Sequence, residues 1–176
     1  MTRERMVRKA TKADIPRIAE IIIFGKRVAY RPIFQDDRAS FNEFLVVPLA
    51  EEYQRDISLL ENMFVYDDGI IKGVVNANPV TADEAEISEF YVEPFFKGQG
   101  IGRALLEEVI AQAKLEGRKR ISLWVLEENK SARKFYEANG FVHTGKTDIV
   151  GDTGKVDLCY EQYFEKYEKY ENDIER

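Results

Sequence analysis

Three glycines stand at alternate positions just before a stretch with helical periodicity: Gly98, Gly100 and Gly102 in "EPFFKGQGIGRALLEEVIAQA". Because glycine destabilises the interior of a helix, their clustering at this point needs a reason. The first four N–H groups of a helix have no acceptor within the helix, and the helix dipole makes that end attractive to anions. Lys97 and Arg103 add positive charge on either side. The pattern predicts a loop whose backbone amides hold a diphosphate.

Several kinds of diphosphate loop can be compared with this one. A nucleotide P-loop requires Gly-Lys-Ser/Thr, whereas Gly102 is followed by Arg103 and Ala104, which excludes that class. A dinucleotide fingerprint requires G-x-G-x-x-G, and both registers fail because Arg103 or Leu105 takes the third position. Glu127 lies near the end of the next predicted strand, where a ribose-binding acid would lie. A nicotinamide-dinucleotide oxidoreductase therefore stays open as a weaker alternative, as does a tight turn with no ligand.

The length and composition of the chain limit the classes of protein to which it can belong. The chain has 176 residues, of which 44% are hydrophobic and 33% charged, and its net charge is −6. This size fits one domain with a sizeable core, and the acidic balance does not favour a nucleic-acid partner. One cysteine, Cys159, and one histidine, His143, allow neither an internal disulfide nor a Cys/His metal cluster. The apolar runs are too short for a membrane span and the N-terminal residues lack a signal-peptide core, so we expect a cytoplasmic protein without a metal.

The periodicity of the remaining sequence predicts the elements that position the glycine loop. The predicted order is β, α, α, β, β, β, α, β, α, β, β, which is a mixed α/β domain with mostly antiparallel strands. Asp68-Gly69 predicts a hairpin, and residues 86–126 predict one parallel, right-handed strand–helix–strand unit around the glycines. Pro32 predicts a break after the first helix, and a second helical stretch over residues 40–60 is expected to break at Pro48.

Residues 86–141 resemble the GNAT superfamily of N-acetyltransferases. The stretch "EISEFYVEPFFKGQGIGRALL" is similar to the acetyl-CoA-binding motif of that family, whose core is Arg/Gln-x-x-Gly-x-Gly/Ala, although Lys97 stands where the family has Arg or Gln. The stretch "ENKSARKFYEANGF" is similar to a second family motif. Its matching positions are Asn129, Ala132, Phe135-Tyr136 and Gly140-Phe141. The resemblance implies a single-domain GNAT fold: a mostly antiparallel twisted sheet of about seven strands, with a V-shaped splay between the fourth and fifth strands and about four flanking helices.

The resemblance also implies an activity and a set of site residues. The chain would transfer an acetyl group from acetyl-CoA, its co-substrate, to a primary amine of a small molecule or a peptide. The strand before the loop would bind the pantetheine arm, the loop amides would hold the pyrophosphate, and Tyr136 would point at the thioester sulfur. The cofactor-binding residues implied in this way are Phe90, Tyr91, Val92, Lys97, Gly98, Gln99, Gly100, Ile101, Gly102, Arg103, Asn129, Ala132 and Tyr136. Arg133 and Lys134 are weaker candidates for contact with the adenosine phosphate.

Catalysis requires groups that manage protons. An amine with a pKa of about 10.4 is almost fully protonated at pH 7, so a carboxylate or water must accept its proton. Glu86 and Glu89 lie on the strand before the loop and would face opposite sides of a regular strand, although a bulge could change that. We favour Glu89 because it is nearer the expected thioester position. Tyr136 is the predicted general acid for the departing thiolate, although its spacing from Ala132 and Phe135 also fits a core position.

The remaining segments concern the acceptor and the C-terminus. Tyr30, Arg31 and Phe34 lie in the segment that would meet the acceptor, but they do not identify it. Residues 1–161 are predicted to form the N-acetyltransferase domain, followed by a charged, aromatic and helical extension over residues 162–176. Its tyrosines would either cover the protein's own core or pack against a second copy in a homodimer. A different function class also stays open, a non-catalytic acyl-CoA-binding sensor that keeps the loop but lacks a proton acceptor.

Overall fold

The computed structural model describes residues 6–164. Seven strands form one sheet in the order β1-β2-β3-β4-β5-β7-β6. The strands are β1 (Val7–Lys9), β2 (Met63–Asp67), β3 (Ile71–Pro79), β4 (Glu84–Val92), β5 (Arg120–Leu126), β6 (Val142–Ile149) and β7 (Val156–Tyr163). The α-helices are α1 (Ile15–Phe34), α2 (Val46–Arg55), α3 (Ile101–Leu115) and α4 (Lys130–Ala138). Short 3₁₀ turns lie at Lys12–Asp14, Ile57–Leu60 and Pro94–Phe96, and a π-helical turn lies at Ala39–Glu43.

Two hydrophobic clusters cover the two faces of the sheet. Adjacent strand residues alternate between them, as the pleat requires: Phe64 and Val75 join the cluster under α3 and α4, whereas Val65 and Val74 join the cluster under α1 and α2. The α1 cluster depends on isoleucines at helical spacing, such as Ile15, which is fully buried. None of the helices within residues 6–164 combines the length and the hydropathy that crossing a bilayer requires.

The pairing of β4 with β5 explains a gap in the middle of the sheet. These are the parallel neighbours, and they pair only over Glu84–Ile87 and Arg120–Leu123. Beyond these residues β4 stays with β3 as far as Val92, while β5 stays with β7 as far as Leu126. The two strands therefore diverge at their C-terminal ends, which confirms the predicted splay between the fourth and fifth strands.

A β-bulge lies at the point of divergence. Asn76 on β3 pairs with Glu89 and Ala77 pairs with Ile87, so Ser88 is an extra residue on β4. As a result Ile87 and Phe90, three positions apart, both join the cluster under α3 and α4. The bulge therefore changes the strand parity that a regular β4 would have.

Both proline predictions in the first third of the chain are wrong. α1 continues through Pro32 and ends at Phe34, and Gln35, its C-cap, has a φ of 53°. Because Pro32 lies in the last turn, it removes only the hydrogen bond to the Val28 carbonyl. α2 begins ahead of Pro48, since proline is tolerated in the first turn of a helix. The helical conformation is interrupted instead at Leu45, whose backbone is extended.

The predicted hairpin agrees with the structure, whereas the predicted start of the C-terminal extension does not. Gly69 has a φ of 101° between β2 and β3, and Gly117 has a φ of 76° after α3. β7 runs to Tyr163, so the boundary at residue 161 falls inside a strand and the helical prediction is wrong for residues 162–163. Tyr160 is fully buried in the protein's own core. The rest of the predicted extension, residues 165–176, lies outside the described residues.

Candidate functional site

The glycine loop leaves its backbone amides without acceptors. Gly98 and Gly100 have φ values of 77° and 81°, a conformation that disfavours side chains, and α3 begins at Ile101 directly after them. Within residues 6–164, no acceptor receives a hydrogen bond from the N–H groups of Lys97 to Arg103. The loop therefore combines unpaired donors, a helix N-terminus and the Lys97 ammonium, which together suit an anion.

A buried ion pair fixes where this loop begins. The Arg17 guanidinium of α1 lies 3.0 Å from the Glu93 carboxylate, which directly follows β4 and is almost fully buried. Arg17 also donates to the Ile71 carbonyl, and the Glu93 N–H donates to the Lys72 carbonyl. These contacts hold the end of β4 against α1 and β3, so the loop starts from a rigid position.

A cavity of about 760 Å³ joins the loop to the splay. Its lining falls into three parts, of which the loop supplies Lys97, Gly98, Gly100, Ile101, Gly102 and Arg103. The splay and α4 supply Phe90, Tyr91, Val92, Trp124, Asn129, Ser131, Ala132, Phe135 and Tyr136, among others. A third part, from α1 and the segments packed near it, includes Gly25, Tyr30, Phe34, Phe44, Val150 and Asp157. The cavity thus brings together all the predicted cofactor-binding residues except Gln99, which is exposed and does not line it.

The splay exposes strand edges inside this cavity. Because β4 pairs with β5 only as far as Ile87, the β5-facing backbone groups of Ser88–Val92 have no strand partner. An extended ligand with amide groups could bind there as an added strand would.

Tyr136 belongs both to the core and to the cavity wall. Its ring packs against Phe90, Phe135 and Phe141 with centroid distances of 6.1, 5.5 and 5.8 Å. A phenol with the ordinary pKa of about 10 is protonated at neutral pH, and burial raises the pKa of Tyr136 further. Within residues 6–164 its hydroxyl has no hydrogen-bond partner. The phenol can therefore donate a proton into the cavity.

The second motif anchors α4 beside the cavity. The Asn129 Oδ1 atom accepts a hydrogen bond from the Ala132 N–H at 3.2 Å, as a helix N-cap does. The Asn129 amide nitrogen makes no hydrogen bond within residues 6–164 and can donate to a ligand. Arg133 does not turn toward the glycine loop: its Nε donates to the Tyr160 hydroxyl and its Nη1 to the Glu127 carbonyl. The contact of Arg133 with an adenosine phosphate stays a prediction.

Glu89 lies beside the cavity rather than on its lining. Its Oε1 atom lies 3.0 Å from the Lys26 ammonium of α1, while its Oε2 atom is buried without a hydrogen-bond partner. Burial raises the pKa of this carboxyl, and the Lys26 charge opposes that rise. Glu89 and Tyr91 lie two positions apart on β4 and so share a sheet face; burial raises the pKa of the Tyr91 phenol, and the charge of Glu89 adds to that rise. Glu89 can thus exchange a proton with the cavity only through water.

Several cavity residues were not found from the sequence. Gly25 interrupts an apolar helix run, which is a known signal of close packing, and a Cβ there would lie 2.4 Å from a Tyr91 ring carbon. Trp124, the single tryptophan, is 40% exposed and lines the splay. Asp157 is a carboxylate on a strand otherwise rich in apolar residues, a weak signal by itself. Phe44 had no distinguishing signal.

Comparison with known proteins agrees with this geometry. The sequence profile described as the acetyltransferase (GNAT) family matches residues 29–141. The chain belongs to the GNAT acetyltransferase family. The match contains the glycine loop, the splayed strands and α4, so the parts of the chain that form the cavity are largely those that define the family.

Individual relatives cover this GNAT chain to different extents. An uncharacterised N-acetyltransferase of Methanocaldococcus jannaschii is 39% identical over 89 residues, which are 43% of this chain and 39% of that protein. The chain thus matches only about two fifths of that relative's length. A spermidine N(1)-acetyltransferase of Thermoplasma acidophilum is 24% identical over 164 residues, which are 90% of this chain and 97% of that protein.

Solved structures share the fold. The crystal structure of the PaiA N-acetyltransferase from Thermoplasma acidophilum, in complex with coenzyme A, has a TM-score of 0.68 and 21% identity, covering 90% of this chain and 98% of that one. At this identity the likeness establishes the GNAT fold. Within residues 6–164, no group of three His, Cys, Asp or Glu side chains is arranged to hold a metal ion.

Proposed function

We propose that this GNAT chain is an acetyl-CoA-dependent N-acetyltransferase that acts on a primary amine of a small molecule or a peptide. The observation that carries the proposal is the continuous cavity from the unpaired amides at Lys97–Arg103 to the Tyr136 hydroxyl. Such a path fits a ligand with a diphosphate at one end and a reactive thioester at the other. Acetyl-CoA would supply the acyl group from that thioester.

Different residues of the chain would bind chemically different parts of the ligand. The amides from Gly98 to Arg103 and the Lys97 ammonium would hold the diphosphate, since they are donors that face no protein acceptor. The free edge of β4 at Phe90–Val92 would bind the amide-containing arm. The Asn129 side-chain nitrogen borders the same stretch of the cavity. Each part of the ligand therefore meets groups of complementary type.

Proton transfer involves groups on both faces of the sheet. Tyr136, whose phenol is protonated at neutral pH, would donate to the departing thiolate. Glu89, whose pKa burial raises, would accept the proton lost by the amine. Because Glu89 does not line the cavity and its side chain contacts Lys26, the proton would reach it through water. Water alone is the other candidate acceptor.

The printed names of relatives support an amine acceptor without identifying it. One relative is named for acetylating spermidine, and another, from Escherichia coli, for acetylating the alanine of ribosomal protein bS18. Both acceptors present a primary amine. The acceptor of this chain is therefore proposed by class alone.

A non-catalytic acyl-CoA-binding sensor is the second candidate function. The observation that favours it is the placement of Glu89, which is paired with Lys26 and set apart from the cavity lining. A sensor would keep the glycine loop and bind acetyl-CoA without transferring its acyl group.

One experiment separates these functions. Calorimetry measures the binding of CoA, acetyl-CoA and NAD(P)H, and release of the CoA thiol is followed with a panel of small primary amines and peptides. We expect acetyl-CoA binding, no NAD(P)H binding, and thiol release that depends on an amine. Binding without thiol release on any amine would favour the sensor. Absence of CoA binding would contradict both functions.

A further inference from the structure

One end of the cavity has aromatic walls and a single carboxylate. We call it the acceptor compartment; its residues are Tyr30, Phe34, Phe44, Trp124, Val150 and Asp157. The Tyr30 ring lies 6.1 Å from Phe34 and 6.5 Å from Phe44, centroid to centroid. These walls offer apolar and aromatic contact to a slender ligand.

The compartment lies on the α1 side of the sheet. Val125 and Leu158 join the cluster under α3 and α4, so the alternation of side chains turns Trp124 and Asp157 to the opposite face. Tyr30 is the link to the reactive centre, because it lines the same cavity as Asp157 and Tyr136 and its hydroxyl lies 3.0 Å from that of Tyr91 on β4. An acceptor held near Asp157 would therefore extend past Tyr30 toward Tyr136.

Charge is distributed unevenly along the cavity. Lys97 and Arg103, the two lining cations among the described residues, lie at the glycine loop, and Asp157 is the one lining carboxylate. Asp157 makes no ion pair within residues 6–164. Its cross-strand partner is another carboxylate, Asp148. Two acidic side chains thus face each other at the acceptor end, where a bound cation would be stabilised.

The cationic groups nearest in sequence are already engaged. Lys155 lies 2.8 Å from the Glu128 carboxylate, and Lys146 lies 3.4 Å from that of Glu161. Burial, together with the Asp148 charge, raises the pKa of Asp157, as expected of a carboxylate that has no ion-pair partner within residues 6–164. A ligand cation would supply that partner.

The chemistry of transfer decides which cation this is. The attacking amine must lose its proton before it reacts, so it is neutral at the moment of attack and cannot also be the lasting partner of a carboxylate. We infer that the acceptor compartment takes a small aliphatic amine that carries a second, protonated amino group, and that Asp157 binds this second ammonium. The aromatic walls would contact the intervening methylenes and the cation. This inference rests on the proposed N-acetyltransferase function.

The test compares two acceptors that differ only in the second charge. 1,4-Diaminobutane and 1-aminopentane have the same chain length, with an ammonium in the first where the second has a methyl group. We expect the diamine to be preferred in kcat/KM by about 10- to 100-fold, the range of a charge-assisted hydrogen bond. Asp157→Asn should remove this preference by raising the diamine KM, while the 1-aminopentane kinetics stay within about threefold of wild type.

The control is Asp152→Asn, an exposed aspartate of the β6–β7 turn that does not line the cavity. It should keep the full preference for the diamine. Equal use of both amines by the wild-type protein, or an equal loss of kcat on both amines in Asp157→Asn, would overturn the inference while leaving the acetyltransferase function standing.

A binding measurement keeps the inference testable without turnover. Calorimetry of 1,4-diaminobutane with the CoA-saturated protein should show binding to the wild type and to Asp152→Asn, and a loss of about tenfold or more in Asp157→Asn. If this pattern appears without acetyl transfer, the acetyltransferase proposal fails but the ammonium site stands. Absence of diamine binding to the wild type would overturn the site.

Discussion

The hydroxyl groups of Tyr30 and Tyr91 lie 3.0 Å apart, joining α1 to β4 inside the cavity. This contact depends on how closely α1 approaches the sheet. Gly25, one and a half turns before Tyr30, lies directly over the Tyr91 ring. The pair thus connects the acceptor side of the cavity with the strand that would hold the acyl donor.

Gly25→Ala should destabilise the protein by about 1–3 kcal/mol, because the new Cβ would overlap the Tyr91 ring. A loss of stability would be informative, since replacing glycine by alanine normally stabilises a helix interior by about 0.5–1 kcal/mol. Urea denaturation measures the change. In a Tyr91→Ala background the same substitution should no longer destabilise. A Gly25→Ala protein as stable as the wild type would show that α1 can move away from Tyr91 without cost.

Gly100→Ala should weaken CoA binding by about tenfold, because a side chain at a φ of 81° strains the loop whose amides would hold the diphosphate. Gly69→Ala is the matched control: it has a φ of 101° in the β2–β3 hairpin, which does not line the cavity. Each substitution should cost about 1–2 kcal/mol of stability. Calorimetry with CoA and thermal unfolding separate the two effects. Equal CoA affinity in both variants would remove the loop from ligand binding.

Tyr136→Phe should lower the rate of acetyl transfer by about 100-fold, which is within the range for loss of a general acid. Because the ring stays in place among Phe90, Phe135 and Phe141, CoA affinity should change little. The rate is read from release of the CoA thiol at saturating amine. Tyr163→Phe, at an exposed position on β7, should behave as the wild type. An unchanged rate in Tyr136→Phe would exclude Tyr136 from catalysis.

Glu89 should give kcat/KM an acid limb at a higher pH than an exposed glutamate, whose pKa is about 4.3. The direction of this pH dependence follows from burial, which raises the pKa of Glu89. Because the base is active only when deprotonated, activity should rise as the pH passes that raised pKa. Glu89→Gln should lower the rate and abolish this limb. Glu86→Gln, on the same strand, should keep it. The same limb in both variants would assign proton acceptance to water.

The raised pKa of Glu89 also affects stability. Because the native state holds this proton more tightly than the unfolded chain, the contribution of Glu89 is fully present below the unfolded-state pKa and is lost as pH rises through the raised native value. Urea denaturation across that range should show a flatter pH dependence for Glu89→Gln than for Glu86→Gln. Equal slopes would place the Glu89 pKa near its ordinary value.

Local patterns were enough to predict much of the fold and the glycine loop. Alternate glycines ahead of an amphipathic helix, the Asp68-Gly69 turn and the Asn129 cap act through backbone conformation and hydrogen bonds between near neighbours. Their structural outcomes therefore follow from short stretches of sequence. Pro32 was misjudged because the effect of a proline depends on whether its turn is interior or terminal, which the local pattern did not reveal.

The sequence by itself determined the element order, the donor-rich loop and the position of Tyr136 on its helix, because periodicity and helix-end chemistry depend on residues a few positions apart. Only the tertiary structure decided that Ser88 forms a bulge, that Glu89 turns to Lys26 beside the cavity, and that Asp157 meets the cavity near Tyr30. These relationships join residues dozens of positions apart through strand register and helix docking. Register and docking are set by packing over the whole sheet.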